Sequence, residues 1–256
     1  MNQPNIAVII PSGNRRNALA CLTALYRHEY DHTVRPVLVW DYGMGDTPNP
    51  TWNCEHVQGT TPFCFSRNVN LGLEAAGERD GYVILNDDAL LRSPGGFSLL
   101  YWTTKEHPEI GIIGATTNVV GNENQKPQGI GLRYDKRMVC FVAVYIPRTT
   151  FKLLAEYESH HPLIPLQTGP PGMLDEQFLS YGLDDDDLCR RIYLVGLRIG
   201  IHDGCYVDHG SLQSSFQASP EHQRDFRPNL RRFIQKWGVD NRGLGKAESP
   251  WKDLFD

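Results

Sequence analysis

No apolar run in the 256-residue chain approaches the roughly 20 residues that a membrane-crossing helix needs. The opening stretch, "MNQPNIAVII", lacks the basic segment and cleavage-like site of a secretory leader. It reads as a mature N-terminus, and the expectation is a soluble, intracellular, cytoplasmic protein. Positive charge is not in excess: 25 Lys and Arg against 30 Asp and Glu leave a formal charge of -5, so the molecule as a whole is not a basic nucleic-acid binder. Paired cysteines are missing too. Cys21, Cys54, Cys64, Cys140, Cys189 and Cys205 form no CxxC, which argues against a zinc ribbon or a redox motif. Reduced cysteines in apolar surroundings act as small hydrophobes, and that is the reading here. There is no internal repeat and no low-complexity segment.

What is present is an ordinary globular composition, 40% hydrophobic and 21% charged, long enough for one large domain or two joined halves. "IAVII" (6–10) is a short β-branched run closed by Pro11, Ser12 and Gly13, which read as a loop. "NALACLTALYRH" has apolar residues at helical spacing, "VRPVLVWD" (34–41) is a second strand, and "SRNVNLGLEAAG" (66–77) predicts a helix with Ser66 as its N-cap. "YVILN" and "EIGIIGA" (109–115) supply two more strands, and "RMVCFVAVYIP" (137–147) a long one followed by a helix. Residues 168–173 are rich in glycine and proline and read as a loop. Strands alternating with helices imply an α/β fold with a mostly parallel sheet covered on both faces. The chain after 215 is basic and partly helical, and reads as an appendage on the main domain.

In such sheets ligands bind beyond the carboxyl ends of the strands. Here those ends carry Pro11 and Ser12, Asp41, and the run Asn86, Asp87, Asp88. Adjacent carboxylates disfavour each other's ionised form unless a cation lies between them. A surface turn capped by aspartate explains such a run equally well, but three polar ends converging on one crevice favour a divalent metal. A second acidic run, Asp184 to Asp187, stands at the start of a predicted helix. One or two carboxylates would satisfy the helix dipole. Four exceed that need, and a crowded one with a raised pKa suits a general base. His209 closes a short apolar strand and could complete a metal site; His160, His161 and His202 have no converging partners.

The ordered set "IAVIIPSGNR", "VLVWDYG", "SRNVNLGLEAAG", "YVILNDDA", "YGLDDDDLCRRIYLVGLRIG" and "VDHGS" resembles the family-two-like glycosyltransferases with the GT-A fold, over most of residues 5 to 215. The resemblance implies a Rossmann-like GT-A domain at 1–215, with a nucleotide-sugar half at 1–115, an acceptor half at 116–215 and a helical appendage at 216–256. It implies that Pro11, Ser12 and Arg15 line the nucleotide base, and that Asp41 is the first acid of the family's "DDGS" segment. Tyr42 stands where the second acid would be, so base recognition is expected to rest on stacking. Arg67 matches the arginine of the "RN" segment. Asn86, Asp87 and Asp88 match the DXD element, in which Asp88 would bind Mn²⁺ or Mg²⁺ together with His209. Asp185 matches the catalytic base, and Asp184, with Glu176, falls on the acceptor side. The implied activity is inverting transfer of a sugar from a nucleotide-sugar donor to a hydroxyl, on a glycan or on a hydroxymethylated base in DNA. A nucleotidyltransferase acting on sugar phosphates and a non-catalytic sugar-nucleotide-binding protein remain alternatives. The first should carry a glycine-rich basic loop near the first strand, which "PSGNRRN" poorly imitates.

Overall fold

The computed structural model describes residues 3–29, 34–44, 48–161, 167–180, 182–212 and 222–238. The parts of the expected appendage at 216–221 and 239–256 lie outside the described residues. The elements are β1 (Ile6–Ser12), α1 (Arg15–His28), β2 (Val34–Trp40), β3 (Glu55–Gln58), α2 (Phe65–Ala76), β4 (Gly81–Leu85) and β5 (Leu90–Leu91). There follow α3 (Gly96–Glu106), β6 (Ile110–Thr117), β7 (Leu132–Asp135), β8 (Ala143–Pro147), α4 (Arg148–His160), α5 (Asp184–Leu194), β9 (Arg198–Asp208) and α6 (His222–Trp237).

One sheet runs β3-β2-β1-β4-β8-β6-β9-β5, with β7 paired to β9. Its period-two pleat divides β1 between two cores. Ile6, Val8 and Ile10 face Leu22, Leu25, Phe97 and Leu100 of α1 and α3. Ala7 and Ile9 face Val69, Leu73 and the residues packed from α4 and α5. A strand buried on both sides must be apolar throughout, which is why "IAVII" shows no alternation. Gly72 lets α2 approach this strand, since a Cβ there would collide with Ile9.

Three expectations are corrected. The sheet is mixed: β1 pairs in parallel with β2 and β4, and β6 with β9, but β8 between these two groups is antiparallel to both β4 and β6. The strand expected over 137–147 is confined to Ala143–Pro147. Upstream of it, Gln125 bonds both N–H and C=O of Cys140, and Asn122 donates to Met138 O, so side chains satisfy a backbone that the sheet would otherwise take. Finally, Ser66 is not a cap. α2 starts one residue earlier, because Phe65 N–H donates to Ser180 O, and the Ser66 hydroxyl is buried without a partner among the described residues.

The basic tail is tied to the main domain by a buried cation. Lys236 of α6 is fully buried, 2.6 Å from Asp175 and 2.7 Å from Asp187. Trp237 Nε1 donates to Asp187 at 2.8 Å, and Phe233 and Trp237 form a small core with Phe178 and Leu183. Arg191 continues the network, bonding Asp187 and Glu158 at 3.0 and 2.7 Å. Burial pushes the Asp175 carboxyl up, but the Lys236 ammonium and the donated N–H bonds outweigh it and hold it below its ordinary value. Lys236→Met would leave the buried Asp175 carboxylate without its cation and Asp187 with Arg191 alone. Removing one partner of such a pair destabilises by about 3–5 kcal/mol, and denaturant unfolding of the variant should show a loss of that order.

Candidate active site

Topology decides where the polar ends meet. β1, β2 and β4 are parallel neighbours, so Ser12, Asp41 and Asn86–Asp88 emerge on one edge. β8 is antiparallel to β4 and to β6, and β9 is parallel to β6, so the carboxyl end of β9 reaches the same edge. His209 follows it directly.

At the centre, Ser12 Oγ donates to Asp87 Oδ2 at 2.5 Å, joining the ends of β1 and β4. Burial raises the Asp87 carboxyl, opposed by the Ser12 bond and assisted by the charge of Asp88, and brings it to about 7. Asp88 is 4% exposed, with Oδ1 lying 3.2 Å from His209 Nε2. The imidazole is held from behind: Nδ1 lies 2.8 Å from Val119 O, and the His209 N–H donates to Asn118 Oδ1 at 2.8 Å. A carbonyl can only accept, so Nδ1 carries the proton, and in the neutral ring Nε2 presents a lone pair to the Asp88 carboxylate. Two acceptors at that separation need a cation between them. A proton answers the need, and so does a divalent ion, because adjacent ligands about 2.1 Å from one octahedral ion stand about 3 Å apart. The residues therefore fit a metal. Among the described residues no group of three or more His, Cys, Asp or Glu side chains could hold a metal ion, so an ion on this pair would need further ligands.

The second acidic run begins α5. Asp184 is 6% exposed and Asp187 fully buried, whereas Asp185 is half-buried and is the more accessible of the first two. Burial raises both Asp184 and Asp185; the charge of Asp185 adds to the rise at Asp184, and N–H groups of Asp186 and Phe141 restrain it at Asp185. Phe141 matters for another reason. Its N–H acts on the Asp185 carboxyl and restrains its rise, while the next residue, Val142, accepts from Asn86 N–H at 3.0 Å. Two consecutive residues before β8 thus join the acidic runs.

The remaining expected residues are placed as follows. Pro11 is buried within β1, opposite Val39, and is not in a loop. Arg15 is exposed at the first position of α1. Asp41 is 2% exposed; its Oδ1 accepts from Gly43 N–H at 2.8 Å and Thr61 Oγ1 at 3.1 Å, fixing the turn that presents Tyr42, which is 47% exposed. Arg67 and Glu176, expected on opposite sides of the site, are paired at 2.8 Å, and Asn70 also donates to Glu176. Asn118, Val119, Phe141 and Val142 were not singled out from the sequence. "TTNVVGNENQ" has no periodicity that marks a histidine's support.

No protein-family model matches the chain, and no curated protein is matched by sequence. Solved structures do match. One is GalNAc-T7 with UDP, GalNAc and Mn²⁺, at TM-score 0.66 and 10% identity, over 94% of this chain and 49% of that one. The chain therefore spans about half the length of that protein. Another is the mannosyltransferase PcManGT from Pyrobaculum calidifontis in complex with GDP-Man and Mn²⁺, at TM-score 0.61 and 16% identity, over 99% and 68%. The chain has the GT-A fold. Among the described residues no helix of this GT-A chain is long and apolar enough to cross a membrane.

The Asp88–His209 contact has a direct signature in the metal-free protein. Burial lowers the His209 imidazole, but the bond to Asp88, its charge and the Val119 carbonyl outweigh this and raise it above 6.5. An NMR pH titration should place the His209 midpoint above 6.5 and move it down in Asp88→Asn. An unmoved midpoint would mean the two side chains do not meet.

Proposed function

We propose that this chain is a metal-dependent glycosyltransferase that moves a sugar from a nucleoside-diphosphate sugar to an acceptor hydroxyl, on a glycan or a hydroxymethylated DNA base, with inversion. One observation carries the reading: a cation-ready pair, Asp88 and His209, and a separate pair of raised carboxylates, Asp184 and Asp185, flank the same two-residue segment at one edge of the sheet. A bound Mn²⁺ or Mg²⁺ would stabilise the charge that grows on the departing diphosphate. Asp88 and His209 would hold it, with Asp87 and Ser12 fixing the strand end behind them. Asp185 accepts the proton of the acceptor hydroxyl as that oxygen attacks. Asp184, more deeply buried and raised further by its neighbour's charge, orients the acceptor. Tyr42 offers an exposed ring for base stacking, presented by the turn that Asp41 fixes. The neighbours named above hold ligands with different bases, UDP and GDP-Man, and a stacking contact tolerates both.

The test is release of nucleoside diphosphate from a panel of sugar nucleotides, with and without Mn²⁺ and candidate acceptors. Release that needs both metal and acceptor supports transfer; transfer of a nucleotidyl group to a sugar phosphate would support the alternative chemistry. Asp88→Ala should keep its far-UV circular dichroism and lose the Mn²⁺-dependent part of nucleoside-diphosphate affinity in calorimetry. Unchanged affinity would overturn the metal assignment.

Asp185→Asn should lower kcat by about 10²- to 10⁴-fold, the usual contribution of a general base, and leave donor affinity intact. The ionised form of Asp185 is the active one, and its pKa is raised. The acid limb of kcat/KM in the wild type therefore lies above the ordinary carboxylate range, with the rate falling as pH drops through it. Near-normal kcat in Asp185→Asn would move the base elsewhere.

A further inference from the structure

The turn that leads into the second acidic run is strained. Ser180 (φ 61°) and Leu183 (φ 72°) are the only non-glycine residues with left-handed φ among the described residues, and Gly182 between them has φ 99°. Such conformations persist where surrounding contacts over-determine them, and they concentrate at functional sites. Leu183 is also the residue at the N-cap of α5, and no side chain caps that helix start, so Asp184 and Asp185 inherit their direction from this turn.

Two elements grip the turn. From α2, Cys64 bridges Ser180, and Phe65 N–H donates to Ser180 O at 3.0 Å. From α6, the fully buried Asn229 grips the other side. Its Oδ1 accepts Leu179 N–H at 3.1 Å, and its Nδ2 donates to Leu179 O at 2.8 Å and Gly182 O at 3.2 Å. An asparagine amide has a donor and an acceptor in one plane, so it can bind both backbone groups of one residue as a neighbouring strand would. The paired contacts with Leu179 do this, and the third reaches the glycine two residues before Asp184.

We propose that Asn229 is a positioning residue for the acidic pair: its amide clamps Leu179 and Gly182 beside the left-handed Ser180 and Leu183 and so fixes the direction of Asp184 and Asp185. This rests on the transferase reading for its catalytic consequence only. α6 is then part of the active centre, although the chain reaches it well after the acidic helix. Lys236 and Trp237, both about two turns further along the same helix, secure Asp187 from behind. Both ends of the first turn of α5 are thereby held by one element.

The experiment compares wild type with Asn229→Ala and Asn229→Asp; the aspartate keeps the acceptor for Leu179 N–H and lacks both donors. Donor KM should be unchanged, while kcat per folded molecule falls by about 10²-fold, as expected when a reacting group is misplaced by about 1 Å. Ser180→Gly in the Asn229→Ala background should restore part of kcat, because glycine adopts the left-handed φ without strain. Loss through general destabilisation would show no such rescue. Hydrogen exchange gives a reading independent of the chemistry. The amides of 179–187 should exchange at least about tenfold faster in Asn229→Asp, while β1 and β4 stay protected. Wild-type kcat per folded molecule in both variants, or unchanged exchange over 179–187, would overturn the positioning role. A wild type with no transfer activity but accelerated exchange in Asn229→Asp would overturn the transferase reading and keep the clamp.

Discussion

Negative charge gathered at one edge of a buried sheet is the constraint around which the molecule is arranged. Each carboxylate there is answered by a different device. Asp87 takes the Ser12 hydroxyl, Asp88 faces an imidazole, Asp185 takes backbone N–H groups, and Asp187 takes a lysine, an indole and an arginine. The devices differ in strength. Asp187 meets full charges, whereas Asp185 meets peptide N–H groups. Four consecutive aspartates therefore differ according to what lies opposite each, and their shared place at the start of one helix does not make them alike.

The parts of the fold legible in the sequence were those set by short-range pattern. β1, β2, β4 and α1 follow from apolar runs and helical spacing, and their polar ends located the edge where Ser12, Asp41 and Asp88 gather. The long-range pairings were not legible. Nothing in "RMVCFVAVYIP" shows that Gln125 and Asn122 capture its first half, because side-chain bonding to backbone leaves the hydrophobic pattern unchanged. Antiparallel β8 was missed for a related reason: a strand buried on both faces looks the same in either direction.

The same limit applied at the site. His209 and Asp88 could be named from strand ends, but the Val119 carbonyl that sets the imidazole tautomer is a backbone atom and leaves no mark on residue type. Arg67 and Glu176 were assigned to opposite substrates, and their ion pair shows that each is the other's partner. The basic tail was the largest difference. Composition marked it only as a basic appendage, and its cation Lys236 points inward to Asp175 and Asp187.

The place of α6 in the chain has a consequence for how the protein is made. Trp237 and Asp187 are 50 residues apart, and synthesis runs from the N-terminus. At about 5–20 residues per second, roughly 3–10 s separate the emergence of the acidic helix from that of the helix that grips it. During that interval Asp175 lacks the lysine that it meets in the folded chain, and Asp187 has Arg191 but neither Lys236 nor Trp237. The docking of α6 therefore completes the charge pairing at the start of α5 after the strands of the Asp88 edge have emerged.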